Sequence, residues 1–223
     1  MSLRHTVTYN QYRGHRRDTA PASEPITADE VKAHLNIESG FTDDDTLIAL
    51  LITSAREFVE DLTGLAFITQ TWTLTLDHWP NANEPWWDGV KQLPIGELYS
   101  SSRPMDVIIP RYPLQAVDTI NADGNSVTVG DVFITDAAQM PGRLVIKRGQ
   151  TWPVVLQRAN GIVIGYTAGY GDDADDVPAA MRLALIQMVV NLYENRGDGC
   201  STDDAYKDSG AKSTFDVYRA RSL

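Results

Sequence analysis

Residues Asp45–Leu76 read DTLIALLITSAREFVEDLTGLAFITQTWTLTL, and the spacing of the apolar residues changes part-way along. At about 100° per residue, Leu47, Ile48, Leu51, Ile52, Ala55, Phe58, Val59 and Leu62 share one arc of roughly 140°. Thr53, Arg56, Glu57 and Glu60 occupy the other side, so the segment reads as an amphipathic helix. Asp43, Asp44 and Asp45 put negative charge at its positive end, and Gly64 stops it. From Thr69 to Leu76 polar residues alternate with apolar ones, the period of a half-buried strand. A helix handing over to a strand points to an α+β chain.

Upstream, Thr27-Ala28-Asp29-Glu30 spells a capping box, with Ile26 and Val31 placed to staple across it. The helix it opens is short and ends near Leu35-Asn36-Ile37. Residues 1–25 read as a flexible basic arm. Arg4, Arg13, Arg16 and Arg17 oppose only Asp18, so residues 1–20 carry +3 while the whole chain carries −11. Two readings of the arm stay open, a mobile tail or a segment that docks on an acidic partner or nucleic acid.

Downstream, short strands are expected at 107–109, 117–120, 127–129, 132–135, 144–147 and 162–166, with turn chemistry at Asp123-Gly124-Asn125 and Met140-Pro141-Gly142. That spacing suggests an antiparallel sandwich or curled sheet. Residues 79–103 look like a long loop. Within it, the adjacent Trp86 and Trp87 are a candidate exposed contact, since two such side chains in a polar loop are expected to reach beyond one subunit.

A third helix opens after Asp172-Asp173-Ala174-Asp175-Asp176-Val177-Pro178 and runs to about Asn195. Its apolar residues nearly encircle it, leaving Gln187, Asn191 and Glu194 as a narrow polar sector. Such a helix needs cover on two sides. One side is expected to be the helix at 44–63, the other either the β region or a neighbouring subunit. The last residues, polar and without sustained periodicity, read as a tail that is unordered when free. The expected organisation is an arm (1–25), two helices (26–66), an inserted antiparallel β region (67–171), a closing helix of the bundle (172–196) and a flexible tail (197–223).

The 223 residues carry 19 Lys+Arg against 30 Asp+Glu. That acidic balance argues against a protein that grips phosphates. No apolar run reaches the roughly 18 residues of a membrane span, and the start shows no secretory signal. The single cysteine, Cys200, excludes a disulfide framework within the sequence. The sequence contains no G-x-S-x-G elbow, phosphate-binding loop or H-E-x-x-H, and no catalytic, cofactor-binding or metal residues are assigned. His34 suits the last turn of the first helix, and the acidic clusters at 43–45 and 172–176 suit helix starts. Arg196-Gly197-Asp198 reads as a helix stop rather than an integrin tripeptide. The five tryptophans leave a second reading, a carbohydrate-binding module that stacks sugars on the β region.

The order of these segments resembles a known family. Ile26-Thr27-Ala28-Asp29-Glu30-Val31-Lys32-Ala33-His34-Leu35, the acidic entry Asp43-Asp44-Asp45, the strand exit Gly165–Gly171, Val177-Pro178 and Leu192-Tyr193-Glu194-Asn195-Arg196 are similar to head–tail connector proteins of tailed phages. These are also called head-completion or adaptor proteins, and similar ones occur in prophages and gene transfer agents. The likeness covers roughly residues 26–200, including a β insertion found in longer members. It implies a small helical bundle and a non-enzymatic protein, without cofactors, that forms a ring, usually a dodecamer, under the portal. The partners implied are further copies of itself, the portal, and a tail or stopper protein. DNA would pass through without sequence-specific binding, and the location would be the virion neck after assembly in the bacterial cytoplasm. On this footing the ring interface is assigned to Leu183, Ile186, Val190 and Tyr193. A portal-binding tail is assigned to Tyr206, Phe215, Tyr218, Arg219 and Arg221.

Overall fold

The computed structural model describes residues 14–38, 40–79, 106–138, 140–156, 159–196 and 200–219. The fold is α+β, with one core among helices and a second among strands. Helix α1 (Ala28–Leu35) has the expected capping box: the Thr27 hydroxyl accepts from the Glu30 amide, and the Thr27 amide donates to the Glu30 carboxylate at 2.7 Å. Ile26 and Val31 are both buried in the helical core. Helix α2 (Asp45–Thr63) stops at Gly64, as read from the sequence.

The strands are β1 (Gly14–Thr19), β2 (Gln70–Leu76), β3 (Asp106–Ile108), β4 (Leu114–Ala122), β5 (Asn125–Val127), β6 (Phe133–Asp136), β7 (Arg143–Ile146) and β8 (Ile162–Ala168). They form two antiparallel sheets, one in the order β1-β2-β8-β4-β5 and a smaller one in the order β3-β7-β6. The alternation read in the sequence sets the register of the larger sheet: Trp72, Leu74 and Leu76 lie opposite Tyr166, Ile164 and Ile162, all buried. Asp123 and Gly124 both take positive φ and make the tight β4–β5 hairpin. A short helix α3 (Val129–Val132) leads into β6. At the β8 exit, Gly169 has φ +147°, and a Cβ there would sit 2.6–2.7 Å from the backbone of Ile68 and Thr69. That glycine lets the strand re-enter the helical layer.

Helix α4 (Ala179–Glu194) follows a 3₁₀ turn at Ala174–Asp176. Two further helices close the described chain, α5 (Thr202–Asp208) and α6 (Ala211–Tyr218).

Both ends differ from the sequence expectation. Residues 14–25 are not a free arm. β1 pairs along the outer edge of β2, and beyond it Ser23 donates to the Asp172 carbonyl at 3.0 Å while Glu24 is bound by Arg56. The reason is the open edge of β2, whose backbone groups gain partners from any compatible strand. Gly-His-Arg-Arg-Asp-Thr carries no apolar alternation, so its sequence does not announce a strand. Residues 201–218 are likewise not a free tail. Ser201 and Asp204 form a capping box, and Ala205, Tyr206, Ala211 and Phe215 are buried in the helical core. The girdle of α4 therefore finds a second cover inside the chain, from α5 and α6 rather than from the β region.

Candidate docking surfaces

With that cover in place, Met181, Ala184, Leu185, Met188, Val189 and Leu192 of α4 are buried. What remains outside is narrower than the sequence implied. Leu183 is 49% exposed, and Ile186 and Val190 are half-buried, forming an apolar strip on the outer side. Tyr193 borders it, but its hydroxyl donates to Asp44 and the Arg196 guanidinium lies 4.3 Å over its ring. Three of the four residues assigned to a ring interface thus share an available strip, and the fourth anchors α4 to the start of α2.

The residues assigned to a portal-binding tail separate. Tyr206 and Phe215 are buried, their rings 6.2 Å apart, with Tyr206 also edge-on to Phe58 and Phe215 to Phe67. They hold α5 and α6 onto the bundle and are not free anchors, because burying an aromatic side chain at home is worth more than leaving it wet for a later partner. Tyr218 is half-buried, Arg219 is exposed, and Arg221 lies outside the described residues. Trp86 and Trp87 also lie outside the described residues. Of the other tryptophans, Trp72 is 7% exposed, and Trp79 stacks on Trp152 at 4.9 Å and gives its indole N–H to the Pro153 carbonyl. These three pack the β core, which removes them from a sugar-stacking platform.

The sequence missed an ionic cluster where helices meet sheet. Arg56 and Glu60, placed on the polar side of α2, are 3% and 2% exposed. Arg56 binds Glu60 at 2.9 Å and Glu24 at 2.7 Å, and Thr53 donates to Glu24 at 2.9 Å. Glu60 also accepts from the Phe67 amide at 3.1 Å and the Gln70 side chain at 2.6 Å. Burial raises the Glu60 carboxyl above its ordinary value despite the opposing pull of Arg56. Arg56 and Glu60 stand four apart, a sequence signal for an ion pair, but nothing in the sequence says that Glu24 would close over them.

Beside this cluster is a polar cleft of about 310 Å³ lined by His15, Arg17, Glu57, Glu60, Asp61, Trp72 and Arg111. Arg17 binds Glu57 at 2.9 Å, and Arg111 binds Asp61 and the Glu60 carbonyl. Arg111 also lies 4.4 Å over the Trp72 ring. His15 stacks on Trp72 at 4.6 Å and meets the Tyr166 hydroxyl at 2.7 Å. Burial first, then the Arg111 charge, lowers the His15 pKa to about 4, so the imidazole is neutral at pH 7. The cleft is internally paired and fastens β1 to the sheet. Among the described residues there is no group of three or more His, Cys, Asp or Glu placed to hold a metal.

Residues 25–85 match the family model of the phage gp6-like head-tail connector protein. The chain's amino-terminal quarter is thus similar to that family. Nearly the whole chain is similar in fold to chains from gene transfer agent particles. One, from the neck of an empty particle computed with C6 symmetry, aligns with a TM-score of 0.66 at 20% identity over 94% of this chain and 97% of that one. A second, from the virion of the native particle, gives 0.65 at 20% identity with the same coverage. A third, from the native neck computed with C12 symmetry, gives 0.63 at 18% identity over 93% and 97%. Among curated proteins none matches. The resemblance read from the order of the sequence segments is therefore borne out, and the fold likeness takes in the β region as well as the helices.

Proposed function

We propose that this protein is a head–tail connector, a structural subunit of a virion neck and one copy of a ring that joins a DNA-filled head to a tail or stopper. The observation that carries the reading is the connector match over 25–85 within a fold that spans nearly the whole of a gene transfer agent neck chain. The six- and twelve-fold symmetries of those necks support a closed ring, and twelve copies is the stoichiometry we assign. The action is binding, without catalysis, in a virion assembled in the bacterial cytoplasm.

Leu183, Ile186 and Val190 supply ring contact, being aliphatic and uncharged, with Leu183 left exposed and the other two left partly exposed by the subunit's own fold. Tyr218 and Arg219, at the end of α6, and the residues beyond them are the portal contact, because aromatic and Arg side chains typically carry interface energy. The net charge of −11 suits a body that lets DNA pass without holding it.

The test is light scattering and electron microscopy of the purified chain, alone at high concentration and with portal rings. Rings, and their capture on portal, are expected. A chain that stays monomeric and ignores portal overturns the reading.

A further inference from the structure

A ring of more than two copies closes only through head-to-tail contacts, so each copy presents two different faces. The α4 strip is one face, and α2 shows the other through a mismatch between its sequence and its burial. Its apolar residues, from Leu47 to Leu62, centre on one direction. Its buried residues, Ile48, Ile52, Ala55, Arg56, Val59, Glu60 and Thr63, centre roughly 70° further round at 100° per residue. The helix is rolled so that an arginine and a glutamate lie inside while leucines lie outside. Leu50 is 65% exposed and Leu62 40%, with Leu47 and Phe58 partly exposed beside them.

Within one subunit this arrangement is unfavourable twice over. Desolvating Arg56 and Glu60 opposes folding, and wet leucines forgo their burial. A second copy corrects the latter at no further cost to the fold.

We propose that the Leu47–Leu50–Phe58–Leu62 face of α2 packs against the Leu183–Ile186–Val190 strip on α4 of the next copy, forming the junction that repeats around the ring. Both faces lie on long helices of the same bundle and are mainly apolar, although Phe58 also meets Tyr206 of its own chain edge-on. On α2 the charges Glu57 and Asp61 lie along one border, the arrangement of an apolar interface core with a polar rim. The proposal rests on the ring reading above and names the surfaces that make it.

Two full-length variants test it, Leu50→Glu and Leu183→Glu. Both positions are solvent-exposed, so each variant should keep the wild-type thermal melt. Each alone should stay monomeric by light scattering where the wild type forms rings. A one-to-one mixture should give dimers and stop there, because one intact junction survives per pair. As a second readout, the variant Leu50→Cys/Leu183→Cys/Cys200→Ser, oxidised after assembly, should give a covalent ladder beyond the dimer, and neither single-cysteine version should. Wild-type rings together with ring formation by either Glu variant, a mixture that remains monomeric, or no ladder from assembled rings each overturn this junction. A wild type that forms no rings with or without portal instead removes the connector reading itself.

Discussion

α2 and α4 are both long and both rich in aliphatic residues, yet they are buried by different means. α4 is apolar almost all round, and the chain answers with its own carboxyl end: Tyr206 and Phe215 fold back over it. α2 is amphipathic with a well-defined polar side, and the chain covers part of that polar side instead, bringing Glu24 and Gln70 to Arg56 and Glu60. The apolar girdle that seemed to demand a neighbouring subunit is largely satisfied at home. The helix that seemed self-sufficient keeps leucines in water. Apolar surface in a sequence states how much must be covered but not by what, because the hydrophobic effect has no direction.

The contrast can be broken first at the cover of α4. Phe215→Ala should cost about 3–5 kcal/mol, the range for truncating a fully buried aromatic, read from urea unfolding. If α5 and α6 were only loosely docked, the loss would be under about 1 kcal/mol and far-UV dichroism would be unchanged. The polar counterpart on α2 is Arg56→Met, which removes the cation that binds both Glu24 and Glu60 and leaves Glu60 with the more distant Arg17 at 3.9 Å. It should cost about 3 kcal/mol. Adding Glu60→Gln should recover part of that loss, a non-additivity that a double-mutant cycle would show.

Smaller effects sharpen the picture where β1 is fastened. The folded His15 pKa is about 4, below its unfolded value near 6.5, so between those values the unfolded chain binds the extra proton. Stability from this group is therefore intact at pH 7 and lost as pH falls from about 6.5 towards 4. The urea midpoint should drop over that window, and less steeply in His15→Gln. Glu60 acts in the opposite sense, since its raised carboxyl pKa makes acidification relieve a buried charge. Thr27→Ala should cost about 1 kcal/mol by removing the cap of α1. Leu183→Ser should change monomer stability by less than about 0.5 kcal/mol while weakening assembly.

The first capping box was legible in the sequence because Thr27 and Glu30 are neighbours that need nothing else. The second, Ser201 to Asp204, was equally local but was followed by few apolar residues. Ala211, Phe215 and Tyr218 do lie at helical spacing, yet three such residues in a polar run look like chance until the girdle they cover is seen. The ring and portal assignments fared unevenly for a related reason. Leu183, Ile186 and Val190 were named from their helix alone and stay accessible, whereas Tyr206 and Phe215 were named as aromatics in a supposed tail and are core.

By itself the sequence determined the α+β class, the bounds of α1, α2 and α4, the strands that alternate and the turn at Asp123-Gly124, along with the likeness to connectors. All of these depend on residues close together in the chain, where period, caps and backbone preference act. Only the tertiary structure decided that β1 adds to the sheet edge, that the carboxyl end closes the bundle, and that α2 is rolled toward Arg56 and Glu60. Those outcomes join residues tens to more than a hundred positions apart, and they depend on which uncovered edge or apolar face each segment meets once the chain is compact.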